Sequence, residues 1–339
     1  MSAPLVVVDA DVLGRQRTGD ETYVAGLLRA MGELERDLRI GAITRFPALV
    51  PPGIEPIPLA AQGQIPRMTL SVPRLLSRLG PALAHFLWSL PLRCPCPAVL
   101  SVADLSFELE PELMPGRDGV IFRQVVPRSA RRAVRVVTVS DRTRRDLVRA
   151  YGIAESKIAV ISHGVDPVFR PAQRPSRDYA LFVGAVQERK NPRAALDATR
   201  QTGLPLVVAG PVKDRDLAAE LTRGGARVVG YVDRLELAGL YRNAACLVFP
   251  SRFEGFGLPV IEAMASGTPV VCTDEPALRE VGGEAAVFVP AERLAEGIER
   301  ALADRAWLVE AGLTRSRLFS WEETARRTVA VYQEVLGHR

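Results

Sequence analysis

The segment FPSRFEGFGLPVIEAMASGTPVV, from Phe249 to Val271, constrains the fold of this chain more than any other. It predicts a strand end, a glycine-rich loop, a short helix and a second strand, in that order. Pro259 suits the first helical position, because its missing N–H would have no helical partner there. Gly267 is expected to cap the helix, and Pro269 prevents its continuation. Such alternation of strand and helix is typical of parallel α/β folds.

The loop and the helix start of this segment place two carboxylates beside a group of amides. The N–H groups from Phe256 to Ile261 are predicted to point out of a helix N-terminus, which is a ready anion site. Glu254 lies in the loop, and Glu262 is placed in the first turn, leaning towards the same end. An acidic residue there also gains about 0.3–1 kcal/mol from the helix dipole without any ligand. That alternative explains neither the two loop glycines nor the exposed position that we expect for Phe256.

EGFGLPVIEAMASGTPVV resembles the signature of the retaining glycosyltransferases of family 4, with two glutamates eight positions apart around a Gly-Phe-Gly-Leu-Pro core. That family has the GT-B fold, an α/β architecture of two facing Rossmann-like, doubly wound domains with an interdomain cleft. The resemblance implies that Glu254 contacts the hydroxyls of a donor sugar and that Glu262 contacts the ribose of its nucleotide. It also implies a donor site for sugar and diphosphate at the helix start, formed by Phe256, Gly257, Leu258 and Pro259.

The length of 339 residues predicts two domains, each large enough for its own core. We expect a first, acceptor-side domain over residues 1–165, a proline-rich linker over 166–178 and a second, nucleotide-sugar-binding domain over 179–320. His163, just before the linker, is interpreted as a turn residue. The resemblance implies that the last helix, in residues 321–339, crosses back onto the first domain.

Short apolar runs predict the strands of both domains. In the first half they are LVVVDA, AHFLWS, PAVLSV, VRVVTVS and IAVISHG, and in the second half YALFVGA, LPLVVAG, ARVVGYV, ACLVFPS and TPVVCTD.

FVGAVQERKNP places two cations after a strand, at the start of the next predicted helix. The helix dipole mildly disfavours cations there, so a functional reason is preferred over a solvated pair. Fixed cations stabilise the charge that develops on a departing diphosphate. The family pattern of a glycine, an arginine and a lysine matches Gly184, Arg189 and Lys190, which implies that they bind the diphosphate. Arg189, Lys190 and Glu254 are therefore the candidate catalytic residues, and we expect neither a metal ion nor a permanently bound cofactor.

Three more residues follow strands at the carboxyl edge of the second predicted sheet, where doubly wound folds bind ligands. They are candidates for contacts with the nucleotide base: Lys213, Tyr231 and Val232.

The first domain carries candidate cleft residues and departs from the family pattern in two places. Gly19 matches the family's glycine in the loop after the first strand, but it is followed by Asp20, which would repel a diphosphate and is a candidate acceptor ligand or helix cap. VLSVADLSFE resembles the family's Val-His-Asp stretch, yet Ala103 takes the histidine position, followed by Asp104. His85, on a neighbouring predicted strand, is either a second residue of the same cleft or a buried packing residue.

Charge and cysteine content limit the partners. The net charge is +5, and residues 117–149 contain ten arginines against three aspartates. This stretch predicts either a solvated helical face or a contact with an anionic membrane or phosphorylated acceptor. Nucleic acid is disfavoured, because no aromatic residues interleave the arginines. Cys94 and Cys96 are interpreted as structural rather than metal-binding.

The N-terminal LVVVDADVL predicts a buried strand rather than a signal peptide, and therefore a cytoplasmic protein, free or at the inner face of the membrane. The resemblance implies a metal-independent retaining glycosyltransferase that moves a hexosyl group from GDP-mannose or a UDP-sugar to a glycan or lipid-linked acceptor. Three alternatives stay open: a sugar-nucleotide epimerase or phosphorylase, a nucleotide-sugar-binding protein without catalysis, and a lipid-surface binding protein.

Overall fold

The computed structural model describes residues 3–15, 18–59, 61, 63–114, 116–173 and 175–337. The chain divides into two compact units. The first unit combines Met1–Gly164 with Trp321–Arg339, and the second unit is Val165–Ser320. Each unit is built on one parallel sheet, with helices in most of the connections between successive strands.

The sheet of the first unit has seven described strands in the order β3-β2-β1-β4-β5-β6-β7, and every neighbouring pair is parallel. The strands are β1 Leu5–Asp9, β2 Arg39–Thr44, β3 Glu55–Pro58, β4 Leu83–Leu87, β5 Ala98–Ser101, β6 Arg135–Thr138 and β7 Ile158–Val160. Its helices are α1 Thr18–Glu33, α2 Gln64–Pro66, α3 Val72–Leu79, α4 Ser106–Leu109, α5 Arg117–Arg132, α6 Asp141–Tyr151 and the last helix of the chain, α14 Trp321–Gly337.

The sheet of the second unit has six described strands in the order β10-β9-β8-β11-β12-β13, again all parallel. The strands are β8 Tyr179–Val183, β9 Leu206–Ala209, β10 Arg227–Gly230, β11 Ala244–Phe249, β12 Val270–Thr273 and β13 Val287–Val289. Its helices are α7 Pro192–Thr202, α8 Arg215–Arg223, α9 Arg234–Asn243, α10 Leu258–Ala265, α11 Pro276–Gly282, α12 Leu294–Ala303 and α13 Arg305–Ser316.

The central strands are apolar because both of their faces are covered. All six residues of β11, AACLVF, are buried, and so are the middle three of β1. Parallel strands between helical layers have this continuous apolar character. No helix in the described part of the chain is both long and apolar enough to span a bilayer.

The predicted strands all appear, but the sequence analysis does not predict β2, β3 and β13. The β3 sequence EPIP contains two prolines and lies at the sheet edge, where a missing N–H is tolerated. The β13 strand has three residues, VFV, which is too short to give a pattern. Edge position and short length therefore hide β3 and β13 from periodicity, whereas neither reason applies to β2, an interior strand of six residues.

The last helix, α14, packs on α1 and on the end of β7. Gly26 of α1 lies so close to Trp321 that a Cβ atom there would overlap the indole ring. The Trp321 ring is 5.8 Å from the His163 ring, which is 4.9 Å from the Tyr23 ring. Burial lowers the pKa of His163 to about 3, so the ring is neutral. His163 is thus a packing residue inside the first unit.

We predict that Gly26→Ala destabilises the protein, because the added methyl group meets the Trp321 ring. Overpacking of this kind lowers the free energy of unfolding by about 1–3 kcal/mol. Gly19→Ala, on the same helix with open space at its Cβ position, is the matched control and is expected to leave that free energy unchanged or slightly raised. Urea unfolding followed by circular dichroism measures both, and equal midpoints for the two variants would contradict the packing.

Candidate functional site

The carboxyl edge of the second sheet brings the predicted donor residues together. Because the strands are parallel, the loops after β8 and β11 leave the sheet at the same edge, and these two strands are neighbours. Gly184 follows β8, and its N–H donates to the Ala209 carbonyl of the next strand at 2.9 Å. The loop after β11 runs through Glu254 to the start of α10. Residues far apart in sequence thereby meet at one place.

Lys190 and Glu254 form an ion pair across these two loops. Glu254 is 7% exposed, and the Lys190 ammonium also lies 5.4 Å from the centre of the Phe249 ring. Burying a charged pair costs about as much desolvation free energy as the attraction returns, so such a pair is a poor way to stabilise a fold. Its position at the ligand edge of the sheet therefore favours a functional role.

Arg189 ties the same two loops together through the backbone. Its Nη1 donates to the Phe253 carbonyl at 2.9 Å, and the Arg252 N–H donates to the Arg189 carbonyl at 3.0 Å. The Ser251 hydroxyl donates to the same Phe253 carbonyl at 3.2 Å. These bonds fix the position of the loop that carries Glu254.

The helix α10 begins at Leu258, one residue before the predicted start at Pro259, and it follows a glycine in the left-handed region. Gly257 has φ +104°, and a Cβ atom there would lie 2.6 Å from Leu278 Cδ2, so the site needs glycine. Leu258 and Pro259 open the helix. The expectation that Phe256 is exposed is wrong: it is 5% exposed, and its ring packs edge-on against Phe319 at 5.7 Å. The aromatic side chain anchors the loop inward, which leaves only the backbone of Phe256 for a ligand.

Glu262 lies just beyond the first turn of α10, in which the sequence predicts it. It is the fifth residue of α10 rather than a residue of the first turn, and it is 5% exposed. The Tyr241 hydroxyl donates to Glu262 Oε2 at 3.0 Å, and Arg234 Nη2 lies 3.9 Å from Oε1. Burial raises the pKa of the Glu262 carboxyl, and the Arg234 charge and the Tyr241 hydrogen bond offset this only in part.

Two residues of α9 that support Glu262 are missed by the sequence analysis. Arg234 and Tyr241 are seven positions apart and therefore share a face of the helix. Arg234 Nε lies 3.2 Å from Asp166 Oδ2, and its guanidinium lies 5.1 Å from the centre of the Phe169 ring. The i, i+7 spacing could have indicated that both residues lie on one face of the helix, but nothing in the sequence indicates that this face contacts Glu262.

The residues that we expect to contact the nucleotide base follow strands β9 and β10, at the same edge of the second sheet. Lys213 follows β9 and is exposed, with its N–H donating to the Val186 carbonyl at 3.3 Å. Tyr231 follows β10 and is 47% exposed, and Val232 beside it is half-buried. In the strand order β10-β9-β8-β11, one or two strands lie between the strands that precede these residues and β11, the strand that precedes Glu254.

The candidate residues of the first unit have structural partners. Gly19 and Asp20 lie in the first turn of α1, and Asp20 Oδ2 accepts from the Trp88 indole N–H at 3.1 Å. Asp104 Oδ1 accepts from the Ser106 N–H at 2.9 Å and from its hydroxyl at 2.7 Å, at the start of α4. Ala103 precedes it, and its carbonyl accepts from Thr143 Oγ1 at 3.0 Å.

His85 lies in the interior of the first unit and not at its surface. It has no exposed area, and burial lowers its pKa to about 3. Its Nδ1 is 2.6 Å from the Tyr332 hydroxyl, and its Nε2 is 2.8 Å from Ser101 Oγ. Ser101 Oγ is also 3.0 Å from the Tyr23 hydroxyl. The structure therefore favours the packing alternative: His85 joins β4 and β5 to α14.

A cluster of charges after β1 is a second feature that the sequence analysis misses. Arg67, 2% exposed, pairs with Asp9 and lies 3.3 Å from Asp11. Arg45 Nε lies 2.9 Å from Asp11 Oδ1, and Arg15 pairs with the same carboxylate. Three guanidinium groups thus surround two carboxylates at the carboxyl edge of the first sheet. The described residues contain no group of three or more His, Cys, Asp or Glu side chains that could hold a metal ion.

Both halves of the chain match models of known protein families. A model described as Glycosyltransferase Family 4 matches residues 17–169, and one described as Glycosyl transferases group 1 matches residues 168–316. The O-antigen chain mannosyltransferase B of Escherichia coli is 31% identical over 266 residues, which cover 70% of this chain and 70% of the relative. The chain spans about half the length of further relatives at 31–32% identity, because the matches cover 50–58% of those proteins.

Solved structures share the fold at lower identity. Sucrose-phosphate synthase from Thermosynechococcus elongatus gives a TM-score of 0.79 at 21% identity, covering 99% of this chain and 100% of that one. The Anabaena protein HepE in complex with UDP-glucose gives 0.75 at 14% identity, covering 97% and 99%. With the two parallel-sheet units, these likenesses show the GT-B fold.

We predict that Glu262→Gln changes the pH dependence of stability. Burial raises the pKa of the Glu262 carboxyl in the folded protein. At a pH between the ordinary pKa and the raised pKa, this carboxyl is therefore protonated in the folded protein but ionised in the unfolded chain. Wild-type stability therefore loses a contribution as pH rises through that window, and the amide has no such titration. Urea unfolding is expected to show the stability of the variant relative to wild type increasing as pH rises from the ordinary carboxyl pKa of about 4 through the raised pKa of Glu262.

Tyr241→Phe serves as the companion variant, because it removes a hydrogen bond that favours the Glu262 carboxylate. Its stability is expected to fall further below wild type over the same rise in pH. Parallel curves for wild type and both variants would contradict the raised pKa.

Proposed function

The chain belongs to glycosyltransferase family 4 and is a hexosyltransferase, and from this premise we propose a retaining, metal-independent reaction with a nucleoside-diphosphate sugar as donor. The observation that carries the proposal is the buried Lys190–Glu254 pair at the carboxyl edge of the second sheet, beside the glycine-rich start of α10. A cation, a carboxylate and a helix N-terminus at one place match a ligand with both phosphate and hydroxyl groups.

In this proposal Lys190 stabilises the diphosphate as it departs. Loss of an anionic nucleotide is the difficult part of sugar transfer, and a fixed ammonium at the developing charge is worth several kcal/mol in a dry site. Glu254 holds the ammonium in place before the donor arrives and then accepts hydrogen bonds from sugar hydroxyls. Arg189 shares the phosphate charge while its bond to the Phe253 carbonyl keeps the loop in position.

In this proposal the remaining contacts with the donor are made by other residues at the carboxyl edge of the second sheet. Backbone amides of Phe256, Gly257 and Leu258, with Gly184 opposite, bind the sugar and the diphosphate. Glu262, held by Tyr241 and Arg234, accepts from the ribose hydroxyls. We assign the base contacts to Lys213, Tyr231 and Val232, which are the residues that follow the outer strands β9 and β10.

We propose front-face attack for the chemical step. The bond from the anomeric carbon to the phosphate oxygen breaks as the acceptor oxygen approaches on the same face, and the acceptor proton passes to the leaving phosphate oxygen. The anomeric configuration is then retained without a covalent enzyme intermediate. Two carboxylates of the first unit, Asp20 and Asp104, already accept hydrogen bonds from Trp88 and Ser106, which supports phosphate rather than carboxylate as the base.

For the acceptor we propose a glycan or a lipid-linked glycan and for the donor a GDP- or UDP-hexose. The similar Escherichia coli protein is named an O-antigen chain mannosyltransferase, and HepE is solved with UDP-glucose. The acceptor side would include Gly19, Asp20 and Asp104. We expect the reaction to occur in the cytoplasm.

We propose that any peripheral contact with an anionic membrane uses only a small part of the arginine-rich stretch, residues 117–149. Within residues 117–149, guanidinium groups are used in bonds to backbone carbonyls and carboxylates, as at Arg123, Arg131, Arg132, Arg135, Arg142 and Arg144. Exposed arginines at the helix ends, Arg117 and Arg149, are the ones that would face lipid phosphate.

We predict that Lys190→Ala lowers kcat by ~10²-fold or more, because the leaving diphosphate loses its fixed cation. Lys157→Ala is the matched control: this lysine donates to the Arg131 carbonyl in the first unit, so its loss is expected to leave kcat unchanged. Release of nucleoside diphosphate in the presence of acceptor measures both. Equal turnover of Lys190→Ala and wild type would refute the role of Lys190.

A panel of GDP- and UDP-hexoses is expected to identify the donor by thermal stabilisation. A ligand at ~100 times its dissociation constant adds about 2.7 kcal/mol to the free energy of unfolding. The stabilising donor is then incubated with glycan acceptors, and the linkage of the product is analysed by NMR. Stabilisation without any transfer or hydrolysis would favour a nucleotide-sugar-binding protein, and epimerised donor without acceptor would favour an epimerase.

A further inference from the structure

The segment between β4 and β5 carries a pair of cysteines that the proposed reaction does not use. Cys94 and Cys96 are both half-buried, and their sulfur atoms are 3.9 Å apart. The other two cysteines, Cys246 on β11 and Cys272 on β12, are fully buried. The chain therefore has one close pair of accessible thiols and two thiols that solvent does not reach.

The surroundings of the pair favour a thiolate. The hydrogen bond from Cys96 and the positive charge of Arg132 lower the pKa of Cys94 to about 7, although burial opposes them. By contrast, burial raises the pKa of Cys246 to about 12. Since the thiolate is the reactive form, Cys94 is the nucleophile among the four cysteines at neutral pH.

The backbone around the pair is restrained, which keeps the two sulfurs close. Pro95 separates the two cysteines and Pro97 follows them, and the proline rings fix the φ angles of residues 95 and 97. Arg132, at the end of α5, donates to the carbonyls of Pro91 and Leu92 at 3.2 and 3.1 Å and holds the start of the segment. A disulfide requires the two sulfur atoms to approach by roughly 1.9 Å more than their present separation of 3.9 Å.

We propose that Cys94 and Cys96 are a redox-active dithiol, a modification site that exchanges with low-molecular-weight disulfides such as oxidised glutathione. The Cys94 thiolate attacks one sulfur of glutathione disulfide and releases one glutathione thiolate. Cys96 then loses its proton and attacks the Cys94 sulfur, which releases the second glutathione. Two electrons pass to the glutathione disulfide, two molecules of reduced glutathione leave, and an intrachain disulfide remains.

This chemistry is preferred over a metal site, because no group of three or more metal-ligating side chains occurs among the described residues. The sequence favours a structural role for the two cysteines. Redox chemistry differs from that role, because it requires a thiolate and side-chain packing does not. The dithiol lies in the first unit, outside the donor site, so its test and that of the proposed function succeed or fail separately.

The decisive experiment treats the reduced full-length protein with excess oxidised glutathione, quenches it with acid and measures the intact mass. We expect wild type to lose two hydrogens and carry no glutathione, with peptide mapping locating the bond between Cys94 and Cys96. Cys96→Ser is expected to gain one glutathione instead, because the resolving thiol is missing. Cys94→Ser lacks the attacking thiolate and is expected to react with oxidised glutathione much more slowly than Cys96→Ser. Cys246→Ala, which removes a buried thiol, is the control and is expected to match wild type.

A second measurement follows alkylation of Cys94 by iodoacetamide as a function of pH. The midpoint is expected near the pKa of about 7 in wild type and higher in Cys96→Ala, which lacks the thiol hydrogen bond. Glutathione adducts on wild type without an intrachain disulfide would overturn the proposal. So would an alkylation midpoint that is the same in both proteins.

Discussion

Parallel strand pairing is the constraint on which the rest of this structure depends. Each sheet brings the carboxyl ends of all its described strands to one edge, so every loop that follows a strand is delivered to the same side. In the second unit this joins the loop after β8, with Lys190, to the loop after β11, with Glu254. The Lys190–Glu254 ion pair, the hydrogen bonds of Arg189 to the neighbouring loop and the position of the start of α10 all follow from this parallel arrangement.

The buried charges at this edge are held at a cost in stability. Glu254 and Glu262 are almost inaccessible, and a buried carboxylate requires several compensating partners. Lys190 compensates the first, and Tyr241 with Arg234 compensates the second. Proteins tolerate such groups where function needs them, and both carboxylates belong to the donor site that we propose.

The sequence predicts the local part of this arrangement well. Gly257 and Pro259 set the loop and the helix start by their own backbone restrictions, and the long apolar runs set the central strands. Residues that depend on tertiary packing escape prediction. Phe256 turns inward because Phe319 offers a partner from the end of the second unit. Periodicity likewise gives no means to foresee that Tyr241 meets Glu262, or that Arg67 pairs with Asp9 across 58 positions.

The account is tested most directly by a crystal structure of the protein with GDP or UDP. We expect the distal phosphate to lie against the Lys190 ammonium and the amides at the start of α10, with the ribose hydroxyls on Glu262. A nucleotide bound elsewhere, with Lys190 still paired only to Glu254, would contradict it.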